Sequence, residues 1–156
     1  MDSPAAVVYV DRGGHLKEIL IFLRATPDER VALRHALTLV IAARLALWRR
    51  PFREAAAERP EKLSPILARV RPGRLAWAVE AVARRIPGAS CLTRALALRR
   101  LLARAGYASQ VVVGVAGGAG REFESHAWLE CGGETLIGAA EGRYAPIVTL
   151  PGAAGA

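Results

Sequence analysis

Cys91 and His126 are the residue types that a thiol nucleophile and its general base require, and each lies in local sequence suited to that chemistry. Pro87-Gly88-Ala89 reads as a turn and Ser90 is a favoured N-cap. The Leu-, Ala- and Arg-rich run from Cys91 to Ala105 then ends at Gly106, a helix stop. Cys91 is therefore predicted at the first position of a helix. There the unpaired backbone N–H groups and the positive end of the helix dipole favour a thiolate, the reactive form of the side chain. Arg94, one turn along, either adds positive charge or points to solvent.

His126 lies in an extended context. Val111 to Val115 is a β-branched run, Phe123 to Cys131 alternates, and Gly132-Gly133 before Glu134 is a two-residue hairpin turn. On such a strand His126, Trp128 and Glu130 share one face, and Ala127, Leu129 and Cys131 share the other. A sheet of this kind would present the imidazole to a helix N-terminus packed across it, the arrangement in which a base takes a thiol proton and later protonates a leaving amine. Free cysteine is also among the most buried residue types, so a purely structural Cys91 is the competing reading.

These residues need a scaffold, and the composition supports one. The chain has 156 residues, 53% of them hydrophobic, enough for one cored domain or one domain with a helical appendage. The net charge of +8 comes from arginines scattered singly and in pairs along helices rather than in one block, which argues against nucleic acid as a partner. Two cysteines forty residues apart and three dispersed histidines offer no zinc spacing, so no metal and no cofactor are expected. A Cys91–Cys131 disulfide is disfavoured without a secretion signal.

The expected organisation has three parts. Residues 1–15 form an extension of unreadable role, with Val7 to Val10 as a short strand and Asp11 to Gly14 as a turn. Residues 16–85 are a helical region. Thr26-Pro27-Asp28-Glu29 caps a helix running to about Arg50, residues 51–73 connect with short helical pieces, and Leu75 to Arg85 is a further helix with Leu75, Val79 and Val82 on one side. Arg34, His35 and Arg44 interrupt the first helix, so we read it as buried on most faces and not as a transmembrane span, with contact at a membrane surface as the minor alternative. Residues 86–156 hold the catalytic core. The fold class is α+β: a helical N-terminal part, then a core with the nucleophile at a helix N-terminus packed on a small antiparallel sheet.

The order of helix-start Cys and strand His is that of papain-like and transglutaminase-like folds. The segments Ser90-Cys91-Leu92-Thr93-Arg94-Ala95-Leu96, Ala105-Gly106-Tyr107, Val113-Gly114-Val115, His126-Ala127-Trp128-Leu129 and Tyr144-Ala145-Pro146 resemble, together, the leader peptidase of lasso-peptide biosynthesis. The form resembled is the split one, without a fused recognition domain. Ala42-Arg44-Leu45 and Pro51-Phe52-Arg53 resemble the helical region that precedes its catalytic part. The resemblance implies a cytoplasmic cysteine endopeptidase of the transglutaminase-like superfamily that removes the leader from a ribosomally made precursor peptide. A separate small protein would hold the leader, and an ATP-dependent lasso cyclase would then close the macrolactam. By matching position Cys91 is the nucleophile and His126 the base.

The third member departs from the family pattern. Many relatives place an aspartate about a dozen residues after the histidine, where this chain has Leu136-Ile137-Gly138-Ala139-Ala140-Glu141. Glu141 is the nearest acidic substitute and Glu130 the second. Glu130 shares a strand face with His126 but is four residues away, about 13 Å, too far for a direct bond. A backbone carbonyl or a water could orient the ring instead. For the oxyanion the Cys91 backbone N–H is available, with Gln110 as the only side-chain suggestion. Trp128 either packs beside the site or borders the substrate channel. His15 and His35 read as surface and helix-packing residues, Cys131 as a buried apolar one, and 116–120 as a glycine-rich loop. The missing aspartate keeps alive a catalytically weak scaffold or binding module in a peptide-maturation complex. Acyl transfer or amidase chemistry on another substrate is weaker.

Overall fold

Thr26 shapes the start of the first helix. Its hydroxyl accepts from the Glu29 backbone N–H at 3.2 Å while the Glu29 carboxylate accepts from the Thr26 N–H at 2.9 Å, a reciprocal capping box followed by Pro27 at the first helical position. The structure, a computed structural model, describes residues 25–57, 59–118, 121–138, 144–152 and 154–155. The expectations for residues 1–15, and the assignments of His15 and Glu141, lie outside the described residues.

Among the described residues four α-helices precede four strands. They are α1 (Pro27–Arg49), α2 (Phe52–Ala55), α3 (Pro72–Ala83) and α4 (Cys91–Arg104), with a 3-10 turn at Leu67–Arg69. The strands are β1 (Ser109–Gly118), β2 (Arg121–Cys131), β3 (Glu134–Ile137) and β4 (Ala145–Gly152), all antiparallel neighbours in the order β3-β2-β1-β4. The fold is α+β, a helical part followed by a small four-stranded antiparallel sheet. Gly132 and Gly133 both have positive φ, 59° and 84°, as a two-residue hairpin turn between β2 and β3 requires.

One apolar core joins helices and sheet. α4 lies at its centre and buries Leu98, Leu101 and Leu102 completely, against Leu39 and Val40 of α1 and Leu75 and Val79 of α3. Each such side chain contributes about 1.5–3 kcal/mol by leaving water. Alanines at Ala32, Ala36, Ala78, Ala95 and Ala97 keep the helical seams narrow enough for those leucines to interdigitate. From the sheet the same core takes Val111, Ala127, Leu129 and Ile137. Two buried polar groups tie down the periphery. Glu61 accepts from Arg100 and, at 2.7 Å, from Arg104, and Arg99 donates to the carbonyls of Ala56 at 2.6 Å and Pro151 at 3.3 Å.

Three expectations change. β1 continues to Gly118 and pairs it with Arg121, so most of the expected 116–120 loop is strand, with an irregularity at Gly117. β4 was not anticipated, because Pro146 and Pro151 break the Ile147–Leu150 run, yet the two prolines sit on an edge strand where a missing N–H is tolerated. α1 is buried on one side only. By length and composition it is long and apolar enough to cross a membrane, with a mean hydropathy of 1.5 over eighteen residues, and 33% of that stretch is buried inside the protein.

Candidate active site

Cys91 occupies the first position of α4, as its neighbours dictate. Ser90 takes an extended backbone and its hydroxyl accepts from the Thr93 N–H at 3.2 Å. The turn before it needs Gly88, whose φ is +73° and whose missing side chain leaves room for the Arg44 guanidinium of α1, 2.7 Å from where a Cβ would stand. Arg44 thus braces from below the turn that carries the cysteine. The Cys91 thiol is free, half-buried and packed against the core. Arg94 is held by Glu80 of α3, Nη1 to Oε2 3.3 Å, so part of its charge is spent on that pair.

His126 is at the middle of β2, opposite Gly114 on β1. Its Nε2 lies 3.2 Å from the carbonyl oxygen of Gly138, the first residue after β3. A carbonyl only accepts, so Nε2 carries the hydrogen in this bond, and the neutral ring then has its lone pair on Nδ1. Tyr144, at the entrance to β4, stacks on the imidazole with ring centroids 5.1 Å apart and an interplanar angle of 29°. The Tyr144 hydroxyl is 3.2 Å from Glu124 Oε2, two residues back on the same strand as His126. The β3–β4 connection therefore grips the histidine from both of its ends.

Gly138 cannot be another residue without a local rearrangement. Its φ is +71°, and a Cβ there would meet the Ala127 carbonyl oxygen at 2.6 Å. Gly114 is equally constrained, because the Trp128 ring and the Ala145 carbonyl fill the space of its absent side chain, at 2.8 and 3.0 Å. The glycine on β1 lets Trp128 lie flat beside His126.

The alternation expected along β2 is present, and the helices cover only one of its faces. Ala127 and Leu129 enter the helical core, while His126, Trp128 and Glu130 occupy the opposite register. The imidazole is therefore not sandwiched between β2 and α4, contrary to the simplest expectation. It stands at the margin of the sheet, where the four-residue β3 stops and leaves the first part of β2 without a neighbour on that side.

Arg99 of α4 bonds to Pro151, Pro151 pairs with Gln110, and Gln110 pairs with Glu130, so these four define one end of the helix–strand layer. The short link from Arg104 to Ser109 reverses the chain, so β1 runs back along α4 and β2 runs with it. Cys91 lies eight residues up the helix, about 12 Å at ~1.5 Å per residue. His126 lies four residues up the strand, about 13 Å. α4 covers the face of the sheet that carries Ala127 and Leu129, whereas His126 belongs to the register of the other face.

Glu130 does not orient the histidine. Its carboxylate accepts from Gln110 Nε2 at 2.7 Å and Trp128 Nε1 at 2.8 Å, and these bonds, Gln110's first, hold it below the usual carboxylate range. Gln110 thus spends one of its two Nε2 hydrogens on Glu130. Trp128 is buried, its ring over Gly114, so it belongs to the wall of the site. Cys131 is free and directs its thiol to the Ala108 carbonyl at 3.4 Å, and burial, then Glu134, pushes its thiol up. His35 packs between helices with Nδ1 2.9 Å from Arg104, and burial foremost lowers its pKa. Among the described residues no cluster of three His, Cys, Asp or Glu could hold a metal.

The sequence allowed a backbone carbonyl as the partner of the ring but could not say which one, because a carbonyl has no letter in a sequence. Tyr144 was also missed as a partner of His126. Its only signal was an aromatic just before the Ala145-Pro146 strand entrance.

A family model for the transglutaminase-like superfamily matches residues 35–149, from within α1 to within β4 and across both Cys91 and His126. Neither the curated proteins nor the solved structures returned a match.

Proposed function

The chain belongs to the transglutaminase-like superfamily, which includes cysteine proteases, and on that footing we propose that it is a cysteine endopeptidase that uses Cys91 as nucleophile and His126 as base. The observation that carries the proposal is the bond from His126 Nε2 to the Gly138 carbonyl. It fixes the tautomer that leaves Nδ1 free to accept a proton, which is what a thiol base must do. For this the imidazole must turn past the margin of the sheet to reach the helix start; there it takes the Cys91 thiol proton, and the sulfur attacks the scissile carbonyl. The Cys91 backbone N–H, in the unpaired first turn of α4, steadies the oxyanion. The imidazolium then protonates the departing amine, and water, deprotonated by the same ring, releases the acid from the thioester.

The substrate proposed is a ribosomally made lasso precursor, cleaved at the end of its leader in the cytoplasm. A separate recognition protein delivers the leader, and the ATP-dependent cyclase consumes the freed core. Support comes from the segments around Cys91 and His126 that resemble the split leader peptidase. The test mixes purified chain, recognition protein and precursor, and follows leader release by mass spectrometry. Cleavage by the wild type and none by Cys91→Ala is expected, and cleavage surviving Cys91→Ala would remove Cys91 as nucleophile.

One observation favours a second reading. The group on Nε2 is a neutral carbonyl, which stabilises an imidazolium less than a carboxylate would. A scaffold that binds precursor without cutting it fits that feature, and a wild type that binds but releases no leader would select it.

A further inference from the structure

Independently of the thiol chemistry, α1 carries an apolar stripe that the described residues leave uncovered. Leu37, Ile41, Leu45 and Trp48 recur at helical spacing and are 45%, 42%, 40% and 70% exposed. The opposite side of the same helix is in the core through Ala32, Leu39, Val40 and Ala43. Arginines bracket the stripe. Arg30 and Arg34 precede it by the same spacing, and Arg49, Arg50 and Arg53 follow it. Arg49 lies over the Trp48 ring, 5.7 Å from its centroid.

Beside Leu45 a cavity of about 220 Å³ is lined by Arg49, Arg50, Arg59, Arg99 and Arg100, with no carboxylate among its described lining residues. Arg99 and Arg100 are held by carbonyls and by Glu61, while Arg50 and Arg59 have no ion-pair partner among the described residues.

We infer that this face of α1 docks on an anionic phospholipid surface, with the stripe at the acyl boundary and the Arg50–Arg59 cavity on a headgroup phosphate. An aliphatic stripe, a tryptophan at its end and arginines on both flanks is the composition of an interfacial helix. Apart from the Trp48 indole N–H the stripe offers no hydrogen-bonding side chain to a protein partner, while the unpaired guanidiniums and the net charge of +8 call for many negative groups at once. Spanning the bilayer is a different matter, because it would pull Leu33, Leu39 and Val40 out of the core. The helix lies on the surface.

Sedimentation of the full chain with phosphatidylcholine vesicles, with and without phosphatidylglycerol, tests this. The chain is expected to pellet with the anionic vesicles only and to be released by high salt. Ile41→Gln/Leu45→Gln/Trp48→Gln and, separately, Arg50→Gln/Arg59→Gln should each weaken partitioning about tenfold or more, with unchanged far-UV circular dichroism. Should the triple variant misfold, tryptophan emission decides: a blue shift on anionic vesicles that disappears in Trp48→Phe supports docking, since the shift then comes from Trp48 and neither from buried Trp128 nor from Trp77, half-buried under Arg74. No pelleting at low salt, or pelleting that both variants retain, overturns the inference. So does a dimer that the stripe variants dissolve in the absence of any vesicle binding, which would make the face a contact between copies.

Discussion

The two faces of β2 do different work, and neighbouring residues of one strand divide it between them. Ala127 and Leu129 close the helical core, at 2% and 0% exposure, where van der Waals contact is the only demand. On the other side Glu124, His126, Trp128 and Glu130 meet hydrogen-bonding and stacking partners from β1 and the β3–β4 connection. Because the period of a strand is two, the packing face can hold the sheet rigid while the outer face positions an imidazole to within a bond length. The lesson is that stability and chemistry here should be separable by substitution.

His126→Ala should give the largest effect, on activity alone: leader release falls about a thousandfold or more, while the melting temperature, followed by circular dichroism, moves by only a few degrees. Leu129→Ala should do the reverse, costing about 3 kcal/mol in urea unfolding with the cleavage rate of the folded fraction largely kept. Loss of stability in the first or of catalysis in the second would erase the division between the faces.

Gly138→Ala sharpens it. The added methyl at φ +71°, against the Ala127 carbonyl, should cost about 2 kcal/mol and also lower kcat, since it shifts the acceptor on Nε2. Glu141→Ala should leave the rate within about twofold. A large fall there would mean that an acid, and not the Gly138 carbonyl, orients the ring.

A further effect is a matter of pH and belongs to the helical side. Burial pushes the Glu61 carboxyl up, but Arg104 and Arg100 outweigh it and leave its pKa below the ordinary value. A carboxylate depressed in the folded state stabilises above its unfolded pKa of about 4.5, and that contribution is lost as pH falls through the folded value. Urea midpoints should therefore decline below about pH 4.5, and Glu61→Gln, less stable at pH 7 by about 2 kcal/mol, should show a shallower acid limb.

Much of the fold was legible because local chemistry sets it. Thr26 with Glu29, Ser90 before Cys91 and the Gly132-Gly133 turn each specify an element boundary without help from the rest of the chain. β4 was not legible, since a proline-flanked run becomes a strand only when β1 offers it an edge. At the site, residue types and alternation marked Cys91 and His126 and separated His126 from Ala127. Which face the helices would cover depends on tertiary packing. The grip of Gly138 and Tyr144 on the imidazole depends on a connection between the two outer strands, a long-range feature that no local spacing encodes.

Thiol alkylation tests the central pairing most directly and needs no substrate. Iodoacetamide at about pH 6.5, with the modified residue identified by mass spectrometry, should label Cys91 at least about ten times faster than Cys131, whose thiol is pushed up by burial and Glu134. His126→Ala should bring Cys91 down to the rate of Cys131. A Cys91 rate unchanged by His126→Ala would contradict the account, because the imidazole would then not be the base that takes the thiol proton.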